Sequence, residues 1–348
     1  MKIEQRIATY NTIATELTLL SNKQLLELLE KTTPMGTSIG GTTALLEIDG
    51  KHVFIKKIRL TDVERKPDNI MSTANVFELP LYYHYGIGSA GFGAWRELSS
   101  HVMSTNWVIA GECSHFPLMY HWRILPASRS KPSAEITKTL NEDVSFWGES
   151  LAIRDRLESS ESASAEIVLF LEYFPENVHD WLAKELKKDA KSAESACSMV
   201  EKNLSAVTSF MNAQGLLHFD AHFWNILTDG ESLYFSDFGL AISSRFDLSE
   251  AEMVFFKEHC LYDQCYVAYH LAKWLLIEFF GDENGNTILR EHFEGKMQRK
   301  LPTYISKIIA RNYNSLIVMN EFFEALKANP KTTCYPADKV KWCILPNR

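Results

Sequence analysis

The sequence predicts an α+β fold in two lobes, a small β-rich half followed by a larger helical half. Three observations predict it. The run MGTSIGGTTALLEIDGKHVFIKKIRL from Met35 is dense in Gly, Thr and β-branched residues; the chain beyond Pro175 is mostly helical in pattern; and the apolar run IVLFLEYF at 167–174 ends at Pro175, a natural junction. The expected division is a helical extension over 1–30, a first lobe over 31–174 with insertions near 61–93 and 126–166, and a second lobe over 175–348.

Residues 4 to 30 carry Leu and Ile at helical spacing and end in LLELLEKTTP, where Pro34 halts continuation, so one or two leading helices are expected. From Met35 the pattern becomes strand, Asp49-Gly50 turn, strand; an Asp-Gly pair accepts positive φ at both central positions of a tight hairpin. Residues 61–93 read as an insertion, first charged and then rich in Tyr and Gly. AWRELSSHVMSTNWVIA from Ala94 returns to helical spacing, and HFPLMYHWRIL from His115 reads as a strand. Pro126 to Glu166 is a polar stretch broken by VSFW at 144–147. After Pro175 helical spacing dominates, apart from a strand-turn-strand block around 216–242.

Composition narrows the function classes. A chain of 348 residues that is 46% apolar can fill a two-lobed core. A net charge of −8 argues against nucleic-acid or acidic-membrane partners, because polyanion binding rests on Lys and Arg neutralising phosphates. The basic clusters Lys184 to Lys191 and Lys296 to Lys300 are interleaved with acidic or apolar residues and read as solvated helix faces. Six cysteines without a CxxC pair or matching His spacing describe neither a disulfide framework nor a zinc site, which fits a cytoplasmic setting. Met1 to Glu30 mixes Glu and Lys throughout and does not resemble a signal peptide, and the apolar stretch near Trp274 to Phe280 is too short to span a bilayer.

The chemistry concentrates in GLLHFDAHFWNILTDGESLYFSDFGLAI, residues 215–242. Asp220 stands five residues before Asn225, and Asp237 opens Asp237-Phe238-Gly239 after a turn at Asp229-Gly230. Phosphoryl transfer needs this kind of set: a carboxylate beside the incoming nucleophile, and carboxylate and amide oxygens to hold Mg²⁺ against phosphates. A bland reading makes these residues ordinary turn formers, but the spacing is hard to obtain by chance.

This block resembles the catalytic segments of the protein-kinase superfamily, HFD with Asn225 matching HRD-x-x-x-x-N and Asp237-Phe238-Gly239 matching DFG. The resemblance implies a bilobal protein-kinase-like fold that uses ATP and Mg²⁺. In it Asp220 positions the acceptor hydroxyl and takes its proton, while Asn225 and Asp237 coordinate magnesium. Upstream, VFIKKI resembles the strand VAIK, which makes Lys56 the partner of the nucleotide phosphates; because side chains alternate, only one of Lys56 and Lys57 can face the site, and the register stays open by one residue. Phe54 departs from the small residue of that strand. Gly36, Gly40 and Gly41 give GxxxGG rather than GxGxxG, a phosphate-cradling loop or a Gly/Thr hairpin without ligand. Glu97 resembles the helix glutamate that holds the strand lysine, the other reading being a surface residue favoured by the helix dipole. LFLEYF resembles the hinge, with Leu171 as gatekeeper and Glu172 to Phe174 offering backbone groups to adenine; Leu227 completes the nucleotide-contacting set. Tyr262-Asp263 resembles the start of the helix whose Asp holds the catalytic loop; an N-cap aspartate is the plainer reading, and the two are compatible.

Other departures bear on the acceptor. Phe219 replaces the Arg of HRD, so no guanidinium stands there to pair with a phosphate on the following segment. His222, where many serine/threonine protein kinases carry Lys, is similar to sugar, aminoglycoside and choline phosphotransferases; it either contacts the transferred phosphate or is structural. No APE triplet lies between Phe238 and Asp263. DFG-Leu-Ala and VFIKKI lean toward the protein-kinase branch, so the expected activity is ATP-dependent phosphorylation of protein Ser or Thr. The alternatives are O-phosphorylation of a small molecule, or a nucleotide-binding pseudokinase or nucleotidyl transferase. A second glycine series, Gly86 to Gly93, is not followed by a strand lysine; it reads as a lid over the site or as a plain flexible loop.

Overall fold

The computed structural model describes residues 2–38, 41–127, 134–281 and 301–345. Its elements in chain order are α1 (Ile3–Leu19), α2 (Asn22–Leu29), β1 (Thr33–Ser38), β2 (Gly41–Ile48), β3 (Lys51–Leu60), α3 (Ala94–Ile109), β4 (Met119–Pro126), α4 (Ala134–Phe146), α5 (Leu151–Glu161) and β5 (Ala165–Glu172). There follow β6 (Glu176–Asn177), α6 (Val178–Leu186), α7 (Ala190–Ala213), β7 (Leu216–Leu217), β8 (Ile226–Thr228), β9 (Leu233–Phe235), β10 (Ile242–Ser243), α8 (Glu250–Glu258), α9 (Tyr262–Phe280), α10 (Thr303–Ala328) and α11 (Ala337–Ile344). The protein is a mixed α+β chain in two compact units: Met1–Phe174 with His218–Asp220 and Tyr234–Phe256, and Pro175–Leu217 with Ala221–Leu233 and Lys257–Arg348.

The first unit is built on a five-stranded antiparallel sheet in the order β1-β2-β3-β5-β4. Asp49 and Gly50 take φ of 48° and 70°, which closes the β2-β3 hairpin. On β3 the side chains alternate. Ile58 and Leu60 join Ala94, Trp95 and Leu98 of α3, with Leu169 and Leu171 of β5, in one apolar cluster, and Phe54 packs against its margin. Lys56 shares this face, and the alternation turns Lys57 away from it.

Helix α3 has Gly93 at its N-cap, without a capping side chain of its own. Glu64 from the preceding insertion takes that role, accepting from Ala94 N at 2.7 Å while its backbone carbonyl accepts from Trp95 Nε1 at 3.0 Å. The stretch 126–166 holds two helices, α4 and α5, where the sequence pattern was read as a polar stretch broken by VSFW. In α5, Ile153 and Arg156 are buried and Ala152 and Leu157 pack beside Ile153, a short apolar side set among charged and Ser residues.

In the second unit β6 pairs with β8, Asn177 opposite Leu227, and the Asn177 side chain caps α6 by accepting from Asp180 N at 2.8 Å. Helix α9 packs against α7 and α10 and is buried on most of its circumference, from Tyr262 to Leu276. Asp263 lies inside its first turn, with Leu261 at the cap position. The basic residues near α6 are surface pairs, Lys184 with Glu176 and Lys188 with Glu185; Lys296 to Lys300 lie outside the described residues. Among the described residues, no helix is long and apolar enough to cross a membrane.

Candidate functional site

Three charged side chains of the first unit meet where β3, α3 and the segment after β9 come together. Lys56 Nζ lies 2.6 Å from Glu97 Oε1 and 2.7 Å from Asp237 Oδ1. The Lys56 and Glu97 side chains are buried, whereas Asp237 is 39% exposed, so it is the member of the cluster that solvent or a ligand can reach. Burial opposes the charge on Lys56, but the Asp237 and Glu97 carboxylates outweigh it and hold the ammonium above its usual pKa. Burial likewise raises Asp237, and Lys56 overcomes it, bringing the carboxyl down to about 2. For Glu97 burial prevails, and its pKa is raised. One ammonium between two carboxylates thus keeps Asp237 ionised at neutral pH.

The register left open by the doublet is resolved in geometry: Lys56 faces Glu97 and Asp237, and Lys57 stands 3.7 Å from Glu166 on the partly exposed face. Glu97, which a dipole argument alone would leave at the surface, is buried in the first turn of α3.

Two backbone positions in the motif residues are left-handed, Phe219 at φ 64° and Asp237 of the cluster at φ 62°. Asp tolerates that region; a bulky Phe does so only when its surroundings enforce it. Phe219 is fully buried and stacks on Phe255 with ring centroids 5.5 Å apart. His218 ties this turn to the strand beside it, its Nε2–H donating to Ser236 O at 2.9 Å while Nδ1 accepts from Asp220 N at 3.3 Å. Those two bonds fix one tautomer and set the backbone from which Asp220 projects.

The remaining residues named from sequence are placed as follows. Glu172 ends β5; its N–H donates to Leu118 O at 2.8 Å, and its carboxylate accepts from Leu118 N and Arg6. Phe174 is buried and stacks on Tyr234 with centroids 3.9 Å apart. Gly36 lies within β1, opposite Thr43. Gly41 takes φ of 131° where a Cβ would collide with Lys57 O, so close strand pairing by itself requires glycine there. Gly40 lies outside the described residues. His222, Asn225 and Leu227 belong to the second unit, in which Asn225 N donates to His222 O at 2.9 Å and Leu227 pairs with Asn177.

Several residues had no sequence signal. Arg6 of α1 is buried and makes a bidentate pair with Glu172 at 2.8 and 2.7 Å, donates to Ser114 O and Phe116 O at 2.6 Å each, and lies over the Tyr234 ring at 4.9 Å. Arg96, next to Glu97, donates to Glu252 Oε1 of α8 at 2.6 Å, both side chains being buried. His101, one turn beyond Glu97, is buried edge-on to Phe238, and its ring nitrogens have no hydrogen-bond partner. Both ion pairs span more than 150 residues, and a local pattern does not reach that far.

No family model matches the chain, and no curated protein matches it.

Proposed function

We propose that the protein is an ATP-dependent phosphotransferase of bilobal protein-kinase-like fold, moving the γ-phosphate of Mg-ATP to a hydroxyl, with Ser or Thr of a protein as the expected acceptor. The observation that carries this reading is the Lys56–Glu97–Asp237 cluster, in which residues chosen separately by motif resemblance lie within 2.7 Å of a common ammonium.

The donor set fits magnesium brought in by a nucleotide. Among the described residues no group of three or more His, Cys, Asp or Glu side chains forms a metal cage, and Mg²⁺ bound with ATP does not need one, since one or two protein oxygens and the phosphates complete its shell. Asp237 supplies an ionised, accessible oxygen, and Asn225 is the second ligand in this proposal. Asp237 and Asn225 would hold the ion, which would supply positive charge against the negative charge developing on the transferred phosphate.

The chain's own residues then divide the work. Lys56, fixed by Glu97, presents positive charge to the phosphates from a rigid strand, and Glu97 keeps it from swinging toward solvent. Asp220, set by the His218 hydrogen bonds, orients the acceptor hydroxyl and takes its proton. His222 contacts the transferred phosphate. A cytoplasmic location belongs to the same proposal, supported by six free cysteines.

The test is incubation with γ-labelled ATP and Mg²⁺, with and without a cell extract, followed by separation of protein from small molecules. Label on protein at Ser or Thr supports the reading, and label only among metabolites transfers it to small-molecule phosphorylation. AMP on a residue makes the protein a nucleotidyl transferase, and nucleotide binding without any transfer makes it a pseudokinase. Asp220→Asn should keep ATP affinity and lose turnover.

A further inference from the structure

The insertion between β3 and α3 is anchored at both ends of its glycine series. Tyr83, His84, Tyr85 and Phe92 are buried. The His84 ring stacks on Phe92 with centroids 3.7 Å apart and lies 5.3 Å from the rings of Phe219 and Phe255; its Nδ1 is hydrogen-bonded to Leu240 O at 3.1 Å. Between these anchors the chain runs through Gly86 to Gly91, with Ala90 N–H donating to Tyr83 Oη at 3.0 Å. Gly91, at φ 75°, sits so close to Gly239 O that no Cβ fits.

Gly86 lies directly on Asp220. A Cβ built there overlaps the Asp220 Oδ1 atom and comes to 3.6 Å from Phe219 O. Gly86 is not among the positive-φ residues, so its own backbone would accept a side chain; the neighbouring carboxylate is what leaves no room. One side of Asp220 is therefore covered by main chain pinned at Gly91 and His84.

We propose that residues 84–93 form the acceptor-side wall of the transfer site, and that Gly86 is its specificity-determining residue, admitting primary hydroxyls and rejecting secondary ones. The inference rests on the phosphotransferase reading of Asp220. An acceptor oxygen must come within about 2.6–3.2 Å of that carboxylate. A methyl on the carbon bearing it needs carbon contacts at roughly 3.5–4.0 Å, and on the side of Gly86 that space is already filled. In a protein this means Ser over Thr; in a small molecule, a terminal alcohol over one on a branched carbon.

The experiment uses the full chain with γ-labelled ATP and Mg²⁺ and two matched acceptor pairs. One is a degenerate peptide library fixed at Ser or at Thr, and the other is ethanolamine against 1-amino-2-propanol. ATP hydrolysis is followed in parallel, and Gly86→Ala is compared with wild type. Wild type should prefer the primary alcohol of whichever pair it labels by about tenfold to a hundredfold, the range one methyl produces in a shaped site. Gly86→Ala should turn the Asp220 carboxylate aside and lower transfer by about a hundredfold, as small misplacements of reacting groups do. It should hold Mg-ATP with affinity within about twofold of wild type, because the atoms nearest a Cβ at Gly86 belong to Asp220 and Phe219 rather than to Lys56, Glu97 or Asp237. Equal labelling of primary and secondary acceptors, unchanged transfer by Gly86→Ala, or hydrolysis of ATP with no labelling of either pair would overturn the proposal. A wild type that neither binds nor hydrolyses Mg-ATP would instead remove the phosphotransferase reading beneath it.

Discussion

Replacing Lys56 by Met tests the buried charge cluster against its neighbour on the strand. The substitution keeps most of the apolar stem and removes the ammonium that Glu97 and Asp237 share at 2.6 and 2.7 Å. Breaking a buried pair by deleting one partner costs roughly 3–5 kcal/mol. Here the cost is smaller: Asp237 is 39% exposed and can be solvated, and burial has already raised Glu97 toward the neutral form. The expected loss is about 2–3 kcal/mol. Lys57→Met removes only a partly exposed contact to Glu166 at 3.7 Å, for which about 0–1 kcal/mol is expected. Urea unfolding followed by tryptophan fluorescence reads both through the midpoint. Adding Glu97→Gln to Lys56→Met should recover about 1–2 kcal/mol, since it removes the carboxylate left buried. Equal midpoint shifts for the two lysine variants, or no recovery in the double variant, would refute the reasoning.

Other perturbations follow from the same contacts. Burial, reinforced by the charge on Lys56, brings His101 down to about 3 from an ordinary value near 6.5, so below about pH 6.5 the unfolded chain binds a proton that the folded chain does not. That stability is complete above pH 6.5 and falls toward pH 3 by up to about 1.4 kcal/mol per pH unit; His101→Phe should flatten the decline in urea midpoints measured between pH 7.5 and 4.5. Arg6→Met leaves Glu172 buried without its bidentate partner and should cost about 3–5 kcal/mol, although Arg6 lies in a leading helix that a truncation would be expected to remove harmlessly; calorimetry of the full chain decides it. Glu252→Gln strands Arg96 and should cost about 3 kcal/mol, while Arg96→Met combined with Glu252→Leu should return most of it, the pair being buried on both sides.

What the sequence disclosed, and what it withheld, separates by range. Asp49-Gly50 marked its hairpin because the turn's φ requirements are met by those two residues alone. The alternation on β3 said that only one lysine could face inward, and packing of Ile58 and Leu60 against α3 chose Lys56. The local pattern around Glu97 said only that it stands in the first turn of α3; the resemblance alone named it as the partner of the strand lysine, 41 residues away, against the alternative of a surface residue. Arg6 and Glu252 carried no local mark: each is defined by a partner brought in by tertiary structure, Glu172 and Arg96 respectively, while Gly86 was marked only as the start of a glycine series and not as the neighbour of Asp220. The helices inside 126–166 were masked by the polar residues around them: on α5 few apolar positions mark the buried side, whereas on α4 Ile136, Leu140 and Val144 recur every four residues, a helical period present in the sequence but passed over within the polar stretch.

The most direct test of the central claim is calorimetric titration of ATP into wild-type protein and Asp237→Ala, each with and without Mg²⁺. If Lys56, Glu97 and Asp237 form a site for magnesium-bound nucleotide, wild type binds ATP more tightly when Mg²⁺ is present, and Asp237→Ala loses that dependence. ATP binding that is absent in wild type, or that responds to Mg²⁺ equally in both proteins, would contradict it.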